Sequence, residues 1–238
     1  MKKFELTAEF VTNVFGKKLF RIKALVAFGT VEKGELGGFI EKEDNLSHDS
    51  NAWVSGDAQV SGNARVSGNA LVFGNAQVSG DAQVFSNARV FGDARVSGDA
   101  QVFGHARVSG DAQVFGNARV FGNAQVFGDA QVFGDAQVFG DAQVFGHARV
   151  SGNALVSGNA DFAVVEGFGR YFRATTFFRC KDKILRVQCG CFYGDLAQFR
   201  EIVKETHGDS KYAKEYLAIA DLMELHFSDE EEKQEVAE

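Results

Sequence analysis

The sequence predicts a mainly β fold, a parallel β-solenoid between two non-repetitive flanks, and three observations carry the prediction. A six-residue unit, Val-(Ser/Phe)-Gly-(Asn/Asp)-Ala-x, recurs almost without deviation across residues 52–160. Valine falls on every sixth position from Val54 to Val156, eighteen times in all, with alanine two residues before each one. The 238 residues include 27 glycines and no proline, and such regular spacing excludes collagen and disordered linkers.

Register fixes the geometry of each repeat. An extended Ala-x-Val triplet points Ala and Val to one side and x to the other. The x residues are mostly Gln or Arg (Gln59, Arg65, Gln77), so they face water while Ala and Val form the core. Gly-Asn or Gly-Asp follows, and these residues accept the left-handed backbone of a tight corner. Three such strand-plus-corner units close a triangular coil of 18 residues, so residues 51–161 hold about six coils, stacked roughly 4.8 Å apart. A flatter solenoid with two hexads per coil shares the period and is the alternative. The pattern resembles the left-handed β-helix of hexapeptide-repeat proteins, where an aliphatic residue is followed four positions later by a small one. Here Gly stands at the third place of the hexad rather than the second. The resemblance implies a left-handed coil and assembly through the side faces, with a homotrimer favoured.

Coils of 18 residues sort the Ser/Phe positions into three vertical columns. One holds Phe73, Phe91, Phe127 and Phe145 among serines, and another holds Phe85, Phe103, Phe121 and Phe139 in consecutive coils. These eight residues are the candidate interaction surface. They can form a local ladder, ring on ring, or an association face, because monomers rarely expose contiguous apolar patches beyond a few hundred Å². Stacked corner carboxylates such as Asp93 and Asp111 raise the idea of a bound cation, but corner chemistry alone accounts for Asn and Asp there.

The alternative class is an enzyme. Hexapeptide-repeat acyltransferases place a histidine base beside a subunit cleft. The array contains His105 and His147, which replace Asn/Asp at corners of different columns. No insertion interrupts the hexads, so the sequence offers neither a catalytic loop nor a cleft, and two histidines cannot make a three-ligand zinc site. No catalytic residue and no cofactor is expected.

An open solenoid leaves strand edges unpaired at both ends, so the flanks are expected to cap it. Residues 1–50 show strand-like alternation over Lys18–Lys23 and a turn at Gly37-Gly38, with Trp53 packing beneath this cap. The run Lys33-Gly34-Glu35-Leu36-Gly37-Gly38-Phe39-Ile40-Glu41, with Asn45-Leu46-Ser47 and Asn51-Ala52-Trp53-Val54, resembles the leader of phage- and prophage-encoded hexapeptide-repeat proteins, often labelled transferases or polymer-forming proteins. Residues 162–227 read as an α+β module. Phe172–Arg179 and Ile184–Cys191 form a hairpin. A helix from Leu196 to Thr206, capped by Asp195, buries Leu196, Phe199, Ile202 and Val203. A second, started by Ser210 or Asp209 and running to about Phe227, buries Tyr212, Tyr216, Ile219, Leu222 and Met223. The stretch Gln188–Asp195 is similar to a C-terminal module of the same phage group. Cys180, Cys189, Cys191 and His207 are a candidate zinc set, set against the ordinary reading of buried free thiols. Residues 228–238 are an acidic tail.

The net charge of −7 provides no basic footprint for nucleic acid. No stretch resembles a signal peptide or membrane span, and an odd number of cysteines suggests reduced thiols, so a bacterial host cytoplasm is expected. The function expected is a non-enzymatic phage or prophage scaffold that self-associates or binds a host or phage macromolecule, in one version as a counter-defence inhibitor.

Overall fold

The structure, a computed structural model, describes residues 1–228, and the acidic run 229–238 lies outside the described residues. The x-Val pair of each hexad forms a two-residue strand, giving eighteen strands from β4 (Trp53–Val54) to β21 (Leu155–Val156). Each up to β18 (Gln137–Val138) pairs in parallel with the strand eighteen residues on, as Gln59 with Gln77 and Gln77 with Arg95. A two-hexad coil would pair residues twelve apart, so the observed register selects the triangular coil. The strands make three sheets, one per face. Backbone bonds run from coil to coil: Gln59 N–H donates to Ala76 O at 2.9 Å and Ser61 N–H to Val78 O at 3.0 Å. Inside, every repeat alanine and valine from Ala52 to Val156 is fully buried. Truncating one such valine to alanine removes two methyl groups, worth roughly 2 kcal/mol.

Glycine is needed at the corners for two reasons. Gly98 sits at φ +67°, and a Cβ there would lie 3.0 Å from the backbone nitrogen of Gly116 in the next coil. Both conditions recur at the corners from Gly56 to Gly134, where Ser86, at φ +61°, is the one residue other than glycine.

The N-terminal cap is continuous with one face. Strands β1 (Phe4–Thr12) and β2 (Lys18–Ala24) form an antiparallel hairpin, and β3 (Leu36–Ile40) pairs antiparallel with β2. On its other edge β3 pairs in parallel with the first hexads, Phe39 with Gln59 and Ile40 with Val60. Leu46, six residues after Ile40, bridges to Val66. Solenoid winding therefore begins at about residue 39, not 51, and gives about seven turns where the hexads alone indicate about six. Sequence reading missed this first coil because Leu46 and Val54 are eight residues apart, which hides the period.

The expected turn at Gly37-Gly38 is not a turn: both residues lie within β3. Their role is close approach. A Cβ on Gly37 would meet Ile22 Cγ1 at 2.5 Å and Val54 O at 2.6 Å, and one on Gly38 would meet Ala58 O at 2.6 Å. Trp53 is buried beneath the cap, its ring edge-on to Phe28 with centroids 5.3 Å apart. Lys3 is buried there too, its Nζ donating to Ala52 O at 2.9 Å. Burial pushes its pKa down to about 8.

The C-terminal cap is an antiparallel sheet of β22 (Phe162–Val165), β23 (Thr175–Arg179), β24 (Leu185–Cys189) and β25 (Phe192–Asp195). Strand alternation gives it two working faces. Phe178 and Cys180 join the core of the array, while Phe177, Val187 and Cys189 pack under the helices. The junction also holds buried polar contacts: Arg149 N–H donates to Thr176 Oγ1 at 2.9 Å and Ser151 Oγ to Gln188 Oε1 at 3.0 Å. Helix α1 (Leu196–His207) is capped by Asp195, which accepts from Gln198 N at 2.8 Å. Helix α2 (Lys211–His226) is capped by Ser210, which accepts from Ala213 N at 3.3 Å. Three residues assigned to the buried stripes are instead exposed: Ile202, Tyr212 and Leu222. Each helix packs only one narrow face on its neighbours, and Ala213 and Ala220 fill the α2 contact instead.

Candidate functional site

The eight phenylalanines stand in two columns that flank one face. Phe85 directly follows the strand Gln83–Val84, and Phe91 directly follows the next strand, Arg89–Val90. The two columns therefore stand at the two corners that bound the face carrying Arg89–Val90. Six residues separate them along the chain, at most about 20 Å. Only Phe115 and Phe133 occupy the third corner, and they stack at 5.0 Å.

Within each column the rings form ladders. Phe85, Phe103, Phe121 and Phe139 stack at successive centroid separations of 4.8, 4.9 and 5.1 Å, nearly parallel. Phe73 stacks on Phe91 at 4.9 Å and Phe127 on Phe145 at 5.5 Å. Coil spacing of roughly 4.8 Å sets this separation, so the ladder is a direct consequence of register. The rings remain partly accessible along their outer edges, and Phe145, at the end of its column, is 44% exposed.

The corner Asn and Asp residues also form ladders. Asn75 Nδ2 donates to Asp93 Oδ1 at 3.0 Å, and Asn117 to Asp135 and Asn123 to Asp141 do the same at 3.0 Å. Such amide bonds satisfy carboxylates without a cation. Among the described residues no group of three or more His, Cys, Asp or Glu side chains could hold a metal.

The cysteine set is divided by the C-terminal sheet. Cys180 faces the array, where burial pushes its thiol pKa up. Cys189, Cys191 and His207 line a pocket of about 210 Å³ on the opposite, helical side. Strand alternation thus prevents the four from meeting at one ion. All three cysteines are free.

The two histidines differ in surroundings. His105 is exposed on its corner, whereas His147 Nδ1 lies 3.1 Å from Glu166 Oε1 and its Nε2 lies 3.5 Å from Asp129 Oδ2. These groups belong to a cleft of about 740 Å³ between the last coils and the loop entering β23. Tyr171 and Phe172 line it from the loop, with Gln131 and Arg149 from the array. The expectation of no cleft is corrected here: the array is uninterrupted, but the C-terminal module overhangs one face. The Gly167–Arg173 run, aromatic and basic just after β22, is the sequence signal that could have pointed to it.

Among the described residues, no helix is long and apolar enough to cross a membrane. A search of curated proteins finds no match to this chain. The family model of the YdcK β-solenoid repeat matches residues 58–74, 64–80, 100–114, 112–128 and 148–160. The overlapping matches begin six and twelve residues apart, whole hexads, so they follow the same register as the coils. The array is a β-solenoid similar to the YdcK β-solenoid repeat.

Proposed function

We propose that the protein is a non-enzymatic interaction rod that associates through the face bounded by its two phenylalanine columns. The observation that carries this reading is the placement of seven half-buried rings and the exposed Phe145 on the two edges of one face, while the third corner holds serine at most levels. A ladder needed only for stability has no reason to favour two corners of three. Repetition along a stiff axis would give several equivalent contacts, so weak individual sites would combine by multivalency. The likeness of the array to hexapeptide-repeat helices supports a homotrimer as the assembled form. The leader's likeness to phage- and prophage-encoded proteins supports a bacterial host cytoplasm as the setting, where the rod would hold a host or phage macromolecule, in one version as a counter-defence inhibitor.

The test is solution mass by light scattering for the wild type and for Phe85→Ser/Phe103→Ser/Phe121→Ser/Phe139→Ser. Serine occupies the same place at Ser97 and Ser109, so the fold tolerates it. A wild-type oligomer that becomes a folded monomer supports the reading. A monomeric wild type would overturn self-association.

A further inference from the structure

We infer that the cleft beneath the C-terminal overhang is a binding site for a neutral saccharide. Its volume, about 740 Å³, lies within the range of small-ligand sites. The formal charges of its lining balance, Asp129 and Glu166 against Arg149 and Arg173. A phosphate-bearing ligand would confront both carboxylates, and Arg149 already donates through Nη1 to Gly190 O at 2.8 Å. The balance favours an uncharged, polar ligand.

The lining also suits hydroxyl groups. A hydroxyl donates one bond and accepts others, so a ring of them needs acceptors and donors interleaved. Asp129 and Glu166 accept, Arg173 donates, and the Gln131 amide does both. Glu166 orients His147 through Nδ1, while 3.5 Å between His147 Nε2 and Asp129 Oδ2 is long for a hydrogen bond and leaves both able to take a hydroxyl.

The aromatic wall supplies the second half of the match. Pyranose rings carry an apolar C–H face, which aromatic faces cover. Tyr171 is 62% exposed and Phe172 71% exposed beside the cleft. Arg173 and Arg170 lie over the Tyr171 ring at 5.0 and 5.5 Å. Phe172 adopts φ +53°, a conformation costly for a bulky residue, and its exposed ring gains little packing in return. Backbone strain that holds an aromatic ring in water at the rim of a cleft is accounted for by a ligand that covers it. The loop is anchored from behind, where Gly169 N–H donates to Glu215 Oε2 at 3.0 Å.

The experiment uses the full chain and three neutral probes, cellotriose, maltotriose and tri-N-acetylchitotriose, with saturation-transfer NMR and titration calorimetry. At least one should bind, with transfer strongest to ring C–H protons. Phe172→Gly relieves the strained φ, so it should preserve or raise the melting temperature while weakening binding about tenfold. Glu166→Gln should weaken binding as well, and the four-serine column variant should bind as the wild type does, which separates this site from the association face. Absence of binding by all three probes, unchanged binding by Phe172→Gly, or preferential binding of inorganic pyrophosphate would overturn the assignment.

Discussion

Replacing Gly98 with alanine tests the corner physics on which the array depends. Gly98 lies at φ +67°, where an L-residue with a Cβ costs about 1–2 kcal/mol. The added Cβ would stand 3.0 Å from Gly116 N and 3.3 Å from its Cα. Those atoms are backbone, so relief requires the next coil to shift and strains its ladder. Alanine's lower unfolded-state entropy returns about 0.4–1 kcal/mol. Gly98→Ala should therefore destabilise by up to about 1.6 kcal/mol through conformation alone, and by more through the displaced coil. The chain contains the reverse case: Ser86 carries a Cβ at φ +61°, so Ser86→Gly should stabilise by up to about 1 kcal/mol. Guanidinium unfolding followed by far-ultraviolet circular dichroism reads both. Repeat arrays need not unfold in one step, so the comparison rests on the direction of each midpoint. An unchanged midpoint for Gly98→Ala, or a lower one for Ser86→Gly, would refute the reasoning.

Other expectations follow from the ladders and caps. Phe103 stacks on both Phe85 and Phe121, so Phe103→Ser should lower stability about twice as much as Phe139→Ser, at roughly 0.5–1.5 kcal/mol per lost stack, measured by the same unfolding curves. Lys3 has a folded pKa of about 8 against an ordinary value of 10.5, so the folded state binds fewer protons between these limits and stability rises with pH across that window. The gain amounts to about 3 kcal/mol by pH 10.5, and Lys3→Met should remove this component from the stability–pH profile. Deleting residues 162–228 would bare the last coil's strand edges and core, and should convert the protein to an end-to-end associating form visible by light scattering. A truncated chain that stays dispersed would argue that the C-terminal sheet is not a cap.

The array was legible because one six-residue pattern specifies strand, corner and core at once, and each level agrees with the others. The helix cap Asp195 was legible for the same local reason, and for the second helix the structure selects Ser210 over Asp209. What sequence reading lost depends on distance. Gly37 and Gly38 look like a turn until β3 is laid against Val54 and Ala58, whose atoms leave no room for a side chain. Ile202 and Leu222 fit an amphipathic stripe, yet both stay exposed. The cleft joins Asp129, His147, Glu166 and Tyr171, which share no local spacing and meet only because the C-terminal module folds back over the array. The columns lie between these cases. Their stacking follows from the period, while their placement on both edges of one face required the pairing register.

Solution mass of the full chain at several concentrations tests the proposed association face most directly. Association through the phenylalanine columns predicts a discrete oligomer, a trimer being favoured. It also predicts that serine at Phe85, Phe103, Phe121 and Phe139 yields a folded monomer. A wild-type monomer at every concentration, or an oligomer unchanged by the four serines, would contradict it.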